Sequence, residues 1–216
     1  MATYHGVMAP EAVGIQLVDE AVDVTASELH VRVLFRLRAA LAYALRGKAG
    51  VLSEIFLRVD NREQASPDVL VAPGITPGTR SVYDVPPEPV PSVTVEVLSP
   101  ANAISRGRSE LEAKRSLFAR IGVALHIEIN PDDGFIAVWE LGDGVLARTE
   151  LCTTYTSDAI GGVRLETPAP GLVHVFLPDG REVLDDHEEL ARGDRESARA
   201  ERLAGKLREL GIDPES

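Results

Sequence analysis

From residue 29 onward the apolar side chains Val33, Leu34, Leu37, Leu41 and Leu45 follow one another at one, three and four residues, the spacing of a single helix face. Thr25-Ala26-Ser27-Glu28 just before them has the S/T-x-x-E form of a capping box, and Gly47 can take the left-handed conformation that ends a helix. The pattern predicts a helix over 28–46, with Arg32, Arg36, Tyr43 and Arg46 on its wet side. Residues 15–24 upstream read as a short strand pair or an extended entry.

The periodicity then shortens. Residues 51–59, 67–71 and 93–98 are short runs rich in β-branched side chains, each bounded by Pro, Gly, Asn or Ser, and are predicted as three strands. Between the last two lies a segment carrying Pro73, Pro77, Pro86, Pro87, Pro89 and Pro91, which can form neither helix nor central strand and is a candidate lid. A second helix is expected over 106–121, with Leu111, Leu117, Phe118 and Ile121 as its apolar stripe and Gly122 as its stop. Residues 123–129 and 135–141 then alternate as a hairpin around Asn130-Pro131-Asp132-Asp133-Gly134. Weaker strands follow over 147–183, with turns at Pro170-Gly171 and Asp179-Gly180. This order predicts an α/β (α+β) fold, a mixed β-sheet core flanked by helices. Residues 184–211 form a charged helix whose narrow seam of Leu203, Leu207 and Leu210 suits pairing with another chain. The expected division is a domain over 15–180 and a helical tail over 184–212.

Composition narrows the function classes. With 216 residues, 44% hydrophobic and 26% charged, the chain can build a core, and its net charge of −12 argues against indiscriminate coating of nucleic acid. The single cysteine, Cys152, excludes an internal disulfide framework and a cysteine-based zinc site. The most apolar stretch, residues 29–45, carries Arg32, Arg36 and Arg38, so no membrane span is expected. The first 14 residues have no secretion-signal pattern, and the cytoplasm is the expected location.

Three charged residues stand where apolar ones belong. Asp68 opens a strand after Pro67; Glu96 lies inside Val93-Thr94-Val95-Glu96-Val97-Leu98; Lys114 falls within the apolar stripe of the second helix. Burying an unpaired carboxylate costs several kcal/mol, so Glu96 must face a cleft, be protonated, be paired or hold a cation. Two acids on neighbouring strands with an ammonium nearby can hold Mg²⁺ and support attack of water on a phosphodiester. The same pattern is met by a Glu96–Lys114 ion pair at the edge of an ordinary sheet, with Asp68 capping a turn.

Ser66-Pro67-Asp68-Val69-Leu70-Val71, Val95-Glu96-Val97-Leu98-Ser99-Pro100, Lys114 four residues before Phe118, and Ile121-Gly122-Val123 leading to Ile129-Asn130-Pro131 together resemble the signature of the Uma-two family. That family is a large bacterial group of restriction-endonuclease-like proteins in the PD-(D/E)XK nuclease superfamily. The likeness spans roughly 15–142, and the ending from Ala200 to Pro214 is similar to the tail of many members. It implies a restriction-endonuclease-like fold and a Mg²⁺ (or Mn²⁺) site at Asp68 and Glu96, with Lys114 as supporting base or charge stabiliser. It also implies DNA as substrate, hydrolysed with metal-activated water, and a homodimer. Leu98 stands two residues after Glu96 where the superfamily usually has Lys, and the family's lysine corresponds to Lys114 on the helix. His126-Ile127 replaces the usual Tyr-Trp, and Phe118 the expected Tyr.

His30 matches a histidine common in the family and Glu20 lies near its acidic entry segment, so both are candidates to line the cleft. A hydrogen-bonded packing role is the alternative for His30. His126 is expected on the same side as Glu128, outside the core, in a structural role, and Asp132 and Asp133 are turn residues. Arg106, Arg108, Lys114, Arg115 and Arg120 against Glu110 and Glu112 make a local excess of 5 − 2 = +3, either a phosphate-facing patch or a solvated helix face. The expected function is a Mg²⁺-dependent DNA endonuclease. The alternatives are a catalytically inactive nuclease-fold assembly module acting through its carboxyl-terminal helix and a hydrolase of another phosphate ester.

Overall fold

The computed structural model describes residues 28–210 apart from 60–62, 77, 79 and 104. The expectations for residues 15–24, Glu20, the capping box at Thr25 and the tail beyond Leu210 lie outside these. A six-stranded sheet forms the centre, in the order β1 (Ala49–Ser53), β4 (Val69–Pro73), β6 (Val93–Val97), β7 (Leu125–Asn130), β8 (Phe135–Gly142) and β9 (Val145–Cys152). β6 and β7 run parallel, joined through α2 (Pro100–Ala103) and α3 (Ser105–Ile121), while the other neighbours are antiparallel.

Alternation along these strands splits the apolar residues between two cores. On one face Val69, Val71, Val93, Val95, Ile127 and Ile129 pack with Val33, Leu37 and Leu41 of α1 (Glu28–Ala44). A three-stranded sheet of β10 (Thr154–Thr156), β11 (Arg164–Ala169) and β12 (Leu172–Phe176) adds Leu165 and Val175 to that core. On the other face Leu70, Ala72, Leu117 and Phe118 join Leu57 of β2 (Phe56–Val59), Ala65 of β3 (Glu63–Ala65) and Tyr83 of β5 (Val82–Val85). The mixed α/β architecture is the one the sequence pattern implies.

Two expected elements are corrected. Residues 51–59 are two strands in two different sheets, because Glu54 turns the backbone through φ 53° between β1 and β2. The proline-rich segment is not simply a loop: β5 lies within it, pairs in parallel with β2, and buries Tyr83, whose hydroxyl donates to the Pro89 carbonyl at 2.7 Å. α3 starts tightly against α2, where a Cβ on Gly107 would come within 2.2 Å of the Ala101 carbonyl oxygen. It ends at Gly122, whose φ of 92° suits only glycine.

Arg36 is not on the wet side of α1 either. Nη1 donates to the Val173 carbonyl and Nη2 to Asp185 Oδ2, both at 2.8 Å, while Arg32 Nε donates to the same oxygen at 2.6 Å. Asp185 is also the N-cap of α4 (Asp186–Glu209): its Oδ1 accepts from the Glu188 N–H at 3.0 Å, and Glu188 Oε2 accepts from the Asp185 N–H at 3.0 Å. One carboxylate thus starts the last helix and anchors it to the first. Among the described residues no helix is long and apolar enough to cross a membrane.

Burial alone raises the Asp185 carboxyl pKa, but the Glu188 N–H and the two guanidiniums outweigh it and hold the group well below the ordinary carboxylate value. A folded-state pKa below the unfolded one stabilises the fold fully above the unfolded value of about 3.9 and loses that stabilisation progressively as pH falls from there through the lower folded-state value. Asp185→Asn should therefore cost roughly 2 kcal/mol at pH 7, because Arg32 and Arg36 lose one charged partner and keep Glu188, 2.6 Å from Arg36 Nη2. Urea titrations at pH 7 and pH 3 check this: the difference from wild type should shrink at the lower pH.

Candidate active site

The register of the central sheet aligns acids across three strands. Glu96 on β6 is paired with Glu128 on β7, and Val69 on β4 with Val95, so the residue preceding β4, Asp68, comes opposite Glu96. Asp68 Oδ2 accepts the Val97 N–H at 2.7 Å, which fixes the carboxylate beside the end of β6. Lys114 reaches down from α3, and its Nζ donates to Glu96 Oε2 at 2.7 Å and to the Ser66 carbonyl at 2.8 Å. The three residues singled out from the sequence therefore converge. His30 joins them at the edge, with Nε2 3.8 Å from Asp68 Oδ1.

The Glu96 side chain is only 6% exposed, and burial pushes its pKa up to about 8; Lys114 opposes the shift, Asp68 and Glu128 reinforce it. Its second oxygen, Oε1, is buried and makes no hydrogen bond. An unsatisfied buried carboxylate oxygen costs free energy, which a cation or donor bound there would offset.

A second ion pair lies beside the first. Arg115 pairs with Glu128 and lays its guanidinium 4.3 Å from the centre of the Trp139 ring. His126 Nε2 lies 3.3 Å from Glu128 Oε1, and its Nδ1 lies 2.9 Å from Thr94 Oγ1. His126 and Glu128 are thus buried in the core, not outside it as alternation alone suggested. Burial pushes the His126 pKa down. Glu128, which burial alone would raise, is held below its ordinary value by His126 and Arg115. Of the two readings of the basic residues on α3, the solvated helix face fits better, because their charge is met by acids: Arg106 by Glu110 at 3.0 Å, Arg115 by Glu128 and Arg120 by Glu63. Asp133 keeps its expected turn role, its N–H donating to Asn130 Oδ1 at 3.0 Å.

Asp68 and Glu96 offer hard oxygen donors of the kind that suits Mg²⁺ or Mn²⁺. Among the described residues no group of three or more His, Cys, Asp and Glu side chains is arranged to hold a metal ion. Two carboxylates still suffice where water and substrate phosphate complete the shell, as is usual for Mg²⁺.

The sheet and its flanking helices are those of a nuclease-like fold. A crystal structure from Anabaena variabilis, described as a "putative nuclease belonging to DUF820", matches with a TM-score of 0.53 at 12% identity, covering 68% of this chain and 82% of that one. The chain belongs to the Uma2 family, described as "Putative restriction endonuclease", whose match extends over residues 4–166. No curated protein matches it.

A carboxyl whose folded pKa exceeds its unfolded value binds its proton more tightly when folded, so stability falls as pH rises between the two values. Wild-type stability should therefore decline from about pH 5 to pH 9 by on the order of 2 kcal/mol more than that of Glu96→Gln, which cannot ionise. Parallel pH profiles of the two proteins in denaturant melts would contradict a buried, proton-holding Glu96.

Proposed function

We propose that this chain is a divalent-metal-dependent endonuclease that hydrolyses DNA phosphodiester bonds. The observation that carries the reading is the convergence of Asp68, Glu96 and Lys114, with one oxygen of the buried Glu96 left without a hydrogen bond. Asp68 and Glu96 would hold Mg²⁺ or Mn²⁺; such an ion, when bound, polarises a phosphoryl oxygen and lowers the pKa of water. The Val97 N–H keeps Asp68 from turning away, and the Ser66 carbonyl keeps the Lys114 ammonium at the mouth of the site. There the ammonium orients water and offsets charge building on the phosphate, a contribution that requires only a donor already in place. His30, beside Asp68, lines the same cleft.

Purified protein should cleave plasmid DNA only with Mg²⁺ or Mn²⁺ added, and Asp68→Ala, Glu96→Ala and Lys114→Ala should each lower the rate by roughly 100-fold or more. Calorimetric titration with Mn²⁺ should show binding lost in the Asp68 and Glu96 variants. Equal cleavage by all four proteins would mark a contaminant and end the reading; a chain that binds no metal and cuts nothing would leave the inactive assembly module.

A homodimer belongs to the same proposal. α4 departs from its anchor at Asp185 with Leu203 52% and Leu210 75% exposed, a seam that a second copy would cover. Light scattering should report a dimer for the full chain and a monomer for the triple variant Leu203→Glu, Leu207→Glu, Leu210→Glu; a wild-type monomer at working concentration refutes the assembly.

A further inference from the structure

A groove of about 680 Å³ starts at Lys114 and runs between α3 and the edge strand β3. Phe56, Leu117, Ala65 and Ala113 give it apolar surface, and Gln64 and Ser116 give it polar groups. Phe56 is 51% exposed, on a strand whose next residue, Leu57, is fully buried. An aromatic ring held in water at the wall of a cavity is poised to stack on a flat partner. The volume is in the range of small-ligand pockets.

We propose that this groove receives the base flanking the scissile phosphate, stacked on Phe56, so that the preferred substrate is a DNA strand whose bases are unpaired at the cut. The inference rests on the nuclease reading and extends it to substrate class. Its ground is continuity: Lys114 lines the groove and also donates to Glu96, so a phosphate drawn to the Lys114 ammonium has its neighbouring nucleotide at the groove mouth. The charges beside the groove favour a base over a second phosphate. Glu63 is paired with Arg120, and Glu110 with Arg106, which leaves apolar surface and the Gln64 amide as the recognition chemistry. A base in intact duplex is already stacked and paired, and reaching Phe56 requires taking it out of the helix. A single strand, a flap or a frayed end offers it without that step, and stacking on one ring tolerates any base.

The test measures binding in EDTA, so that cleavage plays no part. Labelled single-stranded DNA and blunt duplex of the same sequence are titrated with wild type, Phe56→Ala and Phe56→Trp, whose folding is checked by thermal melting. Wild type should prefer the single strand; Phe56→Ala should bind it roughly tenfold more weakly with duplex binding unchanged; Phe56→Trp should restore it, with the new tryptophan quenched as DNA is added. Preference for duplex, equal losses on both substrates, or no change in Phe56→Ala overturns the proposal. The metal-dependent plasmid assay is scored separately: if it succeeds while Phe56→Ala behaves as wild type, the groove assignment fails and the nuclease reading stands. Failure to bind either DNA also ends the groove assignment, while the nuclease reading is decided by the plasmid assay alone.

Discussion

The rest of the site depends on the ion pair between Glu96 and Lys114, because it allows a carboxyl group to sit in the middle of a packed sheet. A strand five residues long and buried throughout has no solvent to stabilise an ionised glutamate, and the cost of desolvation shows in a pKa pushed up to about 8. The ammonium that offsets this cost comes from α3, whose apolar residues Leu111, Leu117 and Phe118 bury the same helix face. Packing of α3 therefore sets the position of the charge, and anything that displaced Phe118 would also displace the nitrogen four residues before it. With Oε1 still lacking a hydrogen bond, the pair is incomplete as a stabilising device.

The second ion pair differs in this respect. Arg115–Glu128 is enclosed by Trp139, His126 and Thr94, and Glu128 is held ionised where Glu96 is pushed toward its protonated form. Two acids paired in register on parallel strands, each facing a cation from consecutive helix residues, thus take opposite protonation tendencies from their surroundings. The negative charge kept at Glu128 reinforces the upward shift at Glu96.

What was legible in the sequence was whatever departs from a local period. Glu96 and Lys114 were found because each interrupts an apolar repeat, and Asp68 because Pro67 marks the strand start. The same rule was available for His126 and Glu128: Thr94-Val95-Glu96 and His126-Ile127-Glu128 share one alternation, and parallel pairing puts both on one face. The alternation of one strand alone puts the second pair outside the core, since the partner strand decides which face is covered. Arg36 departs from the helix pattern for a related reason. Its helix face looked wet because its partner, Asp185, lies 149 residues away and belongs to the cap of the last helix. The break between β1 and β2 rests on the backbone of Glu54, a residue type with no preference for positive φ, so composition carried no mark of it.

These long-range contacts divide the labour between the two faces of the sheet. The α1 face gathers the larger apolar cluster and the Arg36–Asp185 anchor, whose carboxylate is strongly favoured in its charged form. The α3 face gathers the acids and the groove at Phe56, and its central carboxyl resists ionisation. Lowering pH weakens the first arrangement and relieves the second, so one titration acts on the two layers with opposite sign. A sheet built this way can keep an energetically unfavourable acid at its centre because the opposite face supplies apolar burial and an ion pair that do not involve the site. Substitutions that relieve Glu96 should accordingly leave α1 and its anchor in place, whereas damage at Asp185 acts on the scaffold that holds the acids in line.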